Sequence, residues 1–214
     1  MEITWYGHSC FRITERNLAT VVTDPFNHTE IGYSELKLKA DIVTVSHTAQ
    51  GHDFVKAVKG SDWEIIGPGE YEIGGVFLTG VATDKTDSKN DQPRNVVFVF
   101  DYNGLGVAHL GDIKSVPTRK QIEGFGNVDV LLVPVGAGGS LNAAKAAEVV
   151  SLIEPGIVIP MHYGTDASKI ELKPLELFLK QMGLGNNIET QESLKIAKNS
   201  IPEETKVVVL DYKS

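Results

Sequence analysis

Four apolar runs in this chain stop at residues that stand out. Val43-Thr-Val-Ser-His47 and Ile157-Val-Ile-Pro-Met-His162 end in histidine, and Val107-Ala-His-Leu-Gly-Asp112 ends in aspartate. A fourth run, Val130-Leu-Leu-Val-Pro-Val-Gly136, ends in glycine, and His52 comes soon enough after His47 to join it through a loop. Imidazole and carboxylate are the ligand types that hold zinc and related ions. Three such side chains with one open position lower the pKa of a zinc-held water to about 7. In layered α/β folds, the carboxyl ends of strands open into the crevice where ligands bind. Any one of these histidines has a blander role open to it, on the surface or as a hydrogen-bonded core residue. Their grouping at strand ends sets them apart.

The elements that must position them are legible as patterns. Strand patterns run over 3–13, 19–24 (stopped by Pro25), 41–47, 63–66, 71–83, 95–101 and 105–110, with Asn103-Gly104 as a hairpin turn between the last two. Residues 27–40 read as a loop or short helix. Beyond Asp112 the pattern alternates: helix 116–125, strand 128–135, helix 142–153 ended by Pro155, strand 157–161, helix 174–182 and strand 206–210. Two sheets packed face to face with helices outside satisfy both halves. Residues 83–93 are polar, lack periodicity and read as a disordered tip.

Composition narrows the classes. With 214 residues, 42% hydrophobic and 22% charged, the chain suits one globular domain over 1–214. No window nears 18 consecutive apolar residues, the opening Met1-Glu-Ile-Thr-Trp5 lacks the features of a secretory signal, and a single Cys10 cannot form an internal disulfide. A cytoplasmic protein is the expectation. Twenty Lys plus Arg against 28 Asp plus Glu give a net charge of −8 with no dense basic run, which argues against a grip on nucleic-acid phosphates. Cys10, inside a strand pattern, is poorly placed for a reactive thiolate, and Ser9 and Ser46 beside histidines say nothing of a triad, which is assembled in space. Gly136-Ala-Gly-Gly139 offers backbone amides to an anion at a helix N-terminus, without the Lys-Ser/Thr of a phosphate loop.

Five motifs then fall in a suggestive order: Gly7-His8-Ser9-Cys10-Phe11, Thr23-Asp24-Pro25, Val45-Ser46-His47 with His52, His109-Leu110-Gly111-Asp112, and Pro160-Met161-His162-Tyr163. Together with Gly67-Pro-Gly-Glu-Tyr-Glu-Ile-Gly-Gly75 they resemble the metallo-β-lactamase superfamily, in its lactonase-like metal-dependent hydrolase branch. The resemblance covers 1–165 by motif and the remainder by element order. It implies an αβ/βα four-layer sandwich with the metal site at the edge between the two sheets.

The resemblance also implies a ligand set with gaps. The family's second motif is His-x-His-x-Asp-His; His47 and His52 match its ends, but Ala49 and Gly51 replace its inner histidine and aspartate. The third-motif histidine has no counterpart in 83–93. Asp112 matches the aspartate that bridges metals in dinuclear members, His162 the fifth-motif histidine, and Asp24 the first-motif aspartate that orients the histidine loop. A dinuclear site is therefore not expected. The expected metal ligands are His47, His52, Asp112 and His162, holding at most one zinc or manganese ion per chain, or none. The expected catalytic residues are His8, Asp24 and Asp112. His8 is either a donor near the site or a buried structural histidine in the first strand. Asp53 either shifts into the place of the lost aspartate or caps the run 54–59. Tyr163 is a phenolic donor or a packing residue, His109 is structural, and His28 lies in a polar loop.

The resemblance leaves two functions open. One is a hydrolase acting on a small ester, lactone or phosphorylated metabolite through a mononuclear metal site. The other is a catalytically inactive, metal-free relative that binds or scaffolds. The expected partner is a small-molecule substrate, with neither nucleic acid nor membrane. Homo-oligomeric assembly is in keeping with the resemblance, though the sequence names no interface.

Overall fold

Alternation builds the first sheet. In Glu2–Gly7 every second residue is buried, so Ile3 and Trp5 face inward, and the strand pairs antiparallel with Cys10–Thr14. The computed structural model describes residues 1–83, 95–185 and 188–213. Its first sheet runs, in spatial order, Leu194–Lys195, Glu2–Gly7, Cys10–Thr14, Val21–Thr23, Ile42–Thr44 and Trp63–Ile65. The last three are parallel to one another. The second sheet runs Lys206–Val207, Ile157–Met161, Val130–Pro134, Leu105–His109, Val96–Tyr102, Val76–Ala82 and Gly69–Ile73. Its first four strands are parallel and the rest antiparallel.

The central parallel strands Leu105–His109, Val130–Pro134 and Ile157–Met161 are buried at every residue. Such strands have both faces covered, which explains their unbroken apolar runs. Ile13, Val21 and Ile42 of the first sheet join Leu78, Phe98 and Phe100 of the second in one core, and helix Ala143–Ile153 adds Ala146, Val149 and Val150. The alternate residues Cys10, Val22 and Val43 face a second cluster with Phe26, Ile31, Leu36, Leu38 and Val58. Apolar material thus covers both faces of the first sheet. Asn142 caps helix Ala143–Ile153 by accepting from the Lys145 N–H, and Thr118 with Gln121 forms a capping box for Arg119–Phe125. No helix among the described residues is long and apolar enough to cross a membrane.

Three expectations need correction. The pattern 3–13 is not one strand but a hairpin that turns at His8-Ser9, where His8 takes φ +52. The pattern 71–83 is likewise a hairpin, Gly69–Ile73 with Val76–Ala82, turning at Gly74-Gly75 with φ +54 and +78. The final strand divides into Lys206–Val207 and Val209–Leu210, which pair in different sheets. The Asn103-Gly104 turn forms with both residues at positive φ, as a two-residue hairpin requires. Beyond Thr83, the tip expected over 83–93 lies outside the described residues.

Candidate metal centre

Gly7, Thr23, Thr44, His109 and Met161 each close a strand, and the residues just past those ends build the site: His8, Asp24, Ser46-His47, Asp112 and His162. The Val96 N–H donates to the Ser46 carbonyl (2.8 Å) and the His162 N–H to the His8 carbonyl (3.0 Å), joining the two sheets at this edge. His8, Asp24 and His162 all have positive φ, at +52°, +38° and +52°. Such backbone in non-glycine residues costs of order 1–3 kcal/mol and persists only where its surroundings hold it.

Asp24 is fully buried. Its Oδ1 accepts from the Ser46 N–H (2.8 Å), and its Oδ2 accepts from the Ser46 hydroxyl (2.6 Å) and from His52 Nδ1 (2.8 Å). Burial alone would raise its pKa, but the His52 hydrogen bond and the neighbouring histidines bring it down to about 2. It lies within reach of His47 and His52 as a ligand would. Its oxygens are already occupied by three donors, which fix the orientation of Ser46 and His52.

Proton accounting around the other side chains gives the site its character. His52 Nδ1–H donates to ionised Asp24, so its Nε2 presents a lone pair. The Ser46 hydroxyl spends its proton on Asp24 and so accepts from His47 Nδ1–H at 3.0 Å. The Ser140 hydroxyl has the Ala137 carbonyl (2.7 Å) and the Asp112 carboxylate as acceptors for its one proton, and so accepts from His162 Nδ1–H at 3.3 Å. In all three imidazoles the proton is therefore held on Nδ1 by an outer partner, and Nε2 is a lone pair. His47 Nε2 lies 3.8 Å from Asp112 Oδ2 and His162 Nε2 lies 3.6 Å from Asp112 Oδ1. Asp112 Oδ1 is buried without a hydrogen-bond donor. The Asp112 N–H is tied to Asn95 Oδ1 at 2.9 Å, and Asn95 in turn donates to the Leu110 carbonyl and Thr83 Oγ1.

Burial shapes the titration. Desolvation and the neighbouring imidazoles lower His47 to about 4 and His162 to about 3, while His8 is pushed well down by the same causes. Desolvation raises the Asp112 carboxyl to about 6, against the pull of His52 and Lys114. The centre resists protons on its histidines and holds one poorly satisfied carboxylate. That is the donor set of a cation site, in which ligating imidazoles donate their second N–H outward.

The structure brings His8, His47, His52, Asp112 and His162 into one cluster. His8 Nε2 is 3.1 Å from His52 Nε2, and its ring centroid is 4.2 Å from that of His162. Asp53 is exposed, so it does not enter the place of the lost aspartate, and the single turn Val55–Ala57 has Phe54 as its cap with no side-chain bond. His109 is structural: its Nε2–H donates to the Ser9 carbonyl (2.9 Å) and its Nδ1 accepts from the Gly111 N–H (3.3 Å), bracing the His8 turn and the Asp112 loop together. Tyr163 packs on Trp5 at 5.2 Å between ring centroids. Cys10 is buried and its thiol pushed well up by desolvation, leaving no reactive thiolate. Gly136–Gly139 ends short of the helix, whose first residue is Ala143, so the expected anion site at a helix N-terminus is not built there. Ser46, Ser140 and Asn95, which fix the histidine protons and the Asp112 loop, carry no sequence signal for those roles.

Two sheets with a histidine–aspartate centre at their shared strand-end edge define the metallo-β-lactamase fold. The comparisons agree. A family model for the beta-lactamase superfamily domain matches residues 2–162, and the chain belongs to that family. It is similar to a UPF0173 protein of Pyrococcus abyssi, 32% identical over 187 residues that span 77% of this chain and 84% of the relative. A UPF0173 metal-dependent hydrolase of Methanopyrus kandleri is 27% identical over 220 residues, spanning 88% and 95%. Among solved structures, a candidate Zn-dependent hydrolase of the metallo-beta-lactamase superfamily from Thermotoga maritima is 39% identical, with 98% of each chain covered and a TM-score of 0.80.

Proposed function

We propose that this protein is a metal-dependent hydrolase with a single-ion centre formed by His47, His52, Asp112 and His162. The observation that carries the proposal is that the Nε2 lone pairs of His47 and His162 face the Asp112 carboxylate, whose buried Oδ1 lacks a donor, with His52 Nε2 in the same cluster. The Nε2 atoms of His47, His52 and His162 and the Oδ1 of Asp112 are acceptors, and a cation satisfies them at once. A zinc- or manganese-type ion supplies Lewis acidity and a water acidified toward neutral pH. The protein's own residues do the rest. Asp24, Ser46 and Ser140 hold the imidazole protons on the outer nitrogens, and Asn95 fixes the loop that carries Asp112. His47, half-buried at the rim, is the fourth ligand or the group that passes a proton to solvent.

The substrate in this proposal is a small ester, lactone or phosphorylated metabolite. Lys114 supports a substrate or product carrying negative charge. It is exposed, its charge acts on both His47 and Asp112, and its Nζ lies close to Gly139 beside the His162 loop. The proposed setting is the cytoplasm, where the lone thiol of Cys10 needs no partner.

The test is metal content by mass spectrometry on untagged protein prepared without chelator and then supplied with zinc or manganese. About one ion per chain is expected, lost in both His52→Ala and His162→Ala, together with any activity on lactones or phosphoesters. Metal-free protein after supplementation would overturn the proposal and leave the binding or scaffolding role.

A further inference from the structure

His8 has a place in this centre that its position in the sequence does not announce. Its side chain is buried, with 1% of the residue exposed. Its ring fills the space beside Gly51, where an added Cβ would stand 3.0 Å from His8 Nε2 and 3.2 Å from its Cδ2. Gly51 holds φ +93, and its missing side chain is what lets the imidazole in. The backbone is pinned to aim the ring there. The His8 carbonyl accepts from Trp5 Nε1 (3.1 Å) and from the His162 N–H (3.0 Å), and the next carbonyl accepts from His109.

The contact with His52 decides what the ring does. The two Nε2 atoms are 3.1 Å apart, and His52 Nε2 is a lone pair because its proton is committed to Asp24. Without a cation, His8 Nε2–H donates to it. A cation held by His52 needs that same lone pair, so the His8 proton must leave the line between the rings. The ring is buried, with Gly51 on one side and the His162 ring 4.2 Å away between centroids, which leaves it little room to swing clear. Its Nδ1 is buried without a hydrogen-bond partner and is free to take the proton instead. His8 Nε2 is then a lone pair facing the ion. Two nitrogens on one tetrahedral zinc, each 2.0–2.1 Å from it, lie about 3.3 Å apart.

We infer that His8 is itself a ligand of the metal, entering beside His52 and His162 through the space that glycine at position 51 leaves open. The sequence puts that glycine where the resemblance expects an aspartate ligand, so one imidazole takes over a lost carboxylate from a different loop. The inference rests on the metal-centre proposal above.

The experiment is a cobalt(II) titration of the full chain, read as affinity by chelator competition and as the visible d–d spectrum. Two variants are compared with the wild type: His8→Gly, because glycine accepts the positive φ, and His8→Asn, because asparagine tolerates it among side-chain residues. Circular dichroism melts establish that the variants fold. The expected result is one cobalt per wild-type chain, affinity lowered by about 100-fold or more in both variants, and a changed spectrum. Millimolar imidazole should restore both properties to His8→Gly by refilling the ligand position. Wild-type affinity and spectrum in a folded variant would overturn the inference and leave the metal centre standing. So would weakened binding that keeps the wild-type spectrum and ignores imidazole, since that is what a structural role predicts. Wild-type protein that binds no cobalt would remove the metal-centre proposal and this inference together.

Discussion

Metal-free protein is expected to lose about 3 kcal/mol or more of stability between pH 7 and pH 4, and added zinc should offset part of that loss. An ordinary histidine takes a proton near pH 6.5, whereas His47 does so only near 4 and His162 near 3 in the folded chain, with His8 shifted the same way. Below pH 6.5 the unfolded chain binds protons that the folded one refuses, so stability falls as pH drops toward the folded pKa values. At 1.36 kcal/mol per unit, His47 and His162 each remove about 3 kcal/mol by pH 4. Asp112 acts in the opposite direction. Its folded pKa of about 6 lies above the usual carboxylate value, so protonation between 6 and 4 returns about 3 kcal/mol. Asp24, lowered to about 2, begins to lose its contribution only below about pH 4. His47 and His162 less Asp112 leave a net loss of about 3 kcal/mol, to which His8 adds in the same direction, a sizeable part of a typical domain stability of about 5–15 kcal/mol. The measurement is urea unfolding followed by far-UV circular dichroism at pH 7 and at pH 4, with and without zinc. A metal-free fold as stable at pH 4 as at pH 7 would show that the histidines find protons more easily than their burial implies.

The groups that this prediction uses differ in how legible they were. Asp24, His47, Asp112 and His162 stand at or just beyond the ends of strand patterns, and a strand end has a fixed place in a layered α/β fold. Position along the chain therefore carried their position in space. The same holds for the parallel strands, whose unbroken apolar runs result from burial on both faces. His8 was harder. The run 3–13 alternates well enough to pass for one strand, and Gly7 is the only punctuation at the turn. The hairpin there is enforced from outside, by Trp5, His162 and His109 bonding to its carbonyls. The most distant of these contacts, from His162, lies far along the chain, so no local pattern reports it. The hydroxyls of Ser46 and Ser140 were invisible for a related reason. A serine's role depends on where its single proton goes, and that is settled only when the acceptor is in place. Gly51 read as a lost ligand, and only the three-dimensional neighbour showed it as the opening that admits an imidazole.

Replacing Asp24 should separate the site's architecture from its proton state. Asp24→Ala strips the acceptor from three buried donors at once: the Ser46 N–H, the Ser46 hydroxyl and His52 Nδ1–H. Each buried donor left unsatisfied costs about 1–3 kcal/mol, and three are stranded at once, so a strongly destabilised variant is expected. Asp24→Asn keeps the shape, and asparagine tolerates the positive φ. Its amide oxygen must face the Ser46 backbone N–H, which cannot change its proton, so its NH2 group faces His52 Nδ1. An NH2 donor there requires His52 to accept on Nδ1 and carry its proton on Nε2, the atom that should face the ion. Asp24→Asn is therefore expected to fold and yet to bind zinc about 10–100-fold more weakly, as the loss of an orienting partner does in metal sites. Chelator competition measures the affinity, and thermal melts of both variants without metal measure the stability. A folded Asp24→Asn variant that binds zinc as tightly as wild type would mean that the His52 proton is not set by Asp24. The lone-pair convergence that supports the whole centre would then lose its clearest member.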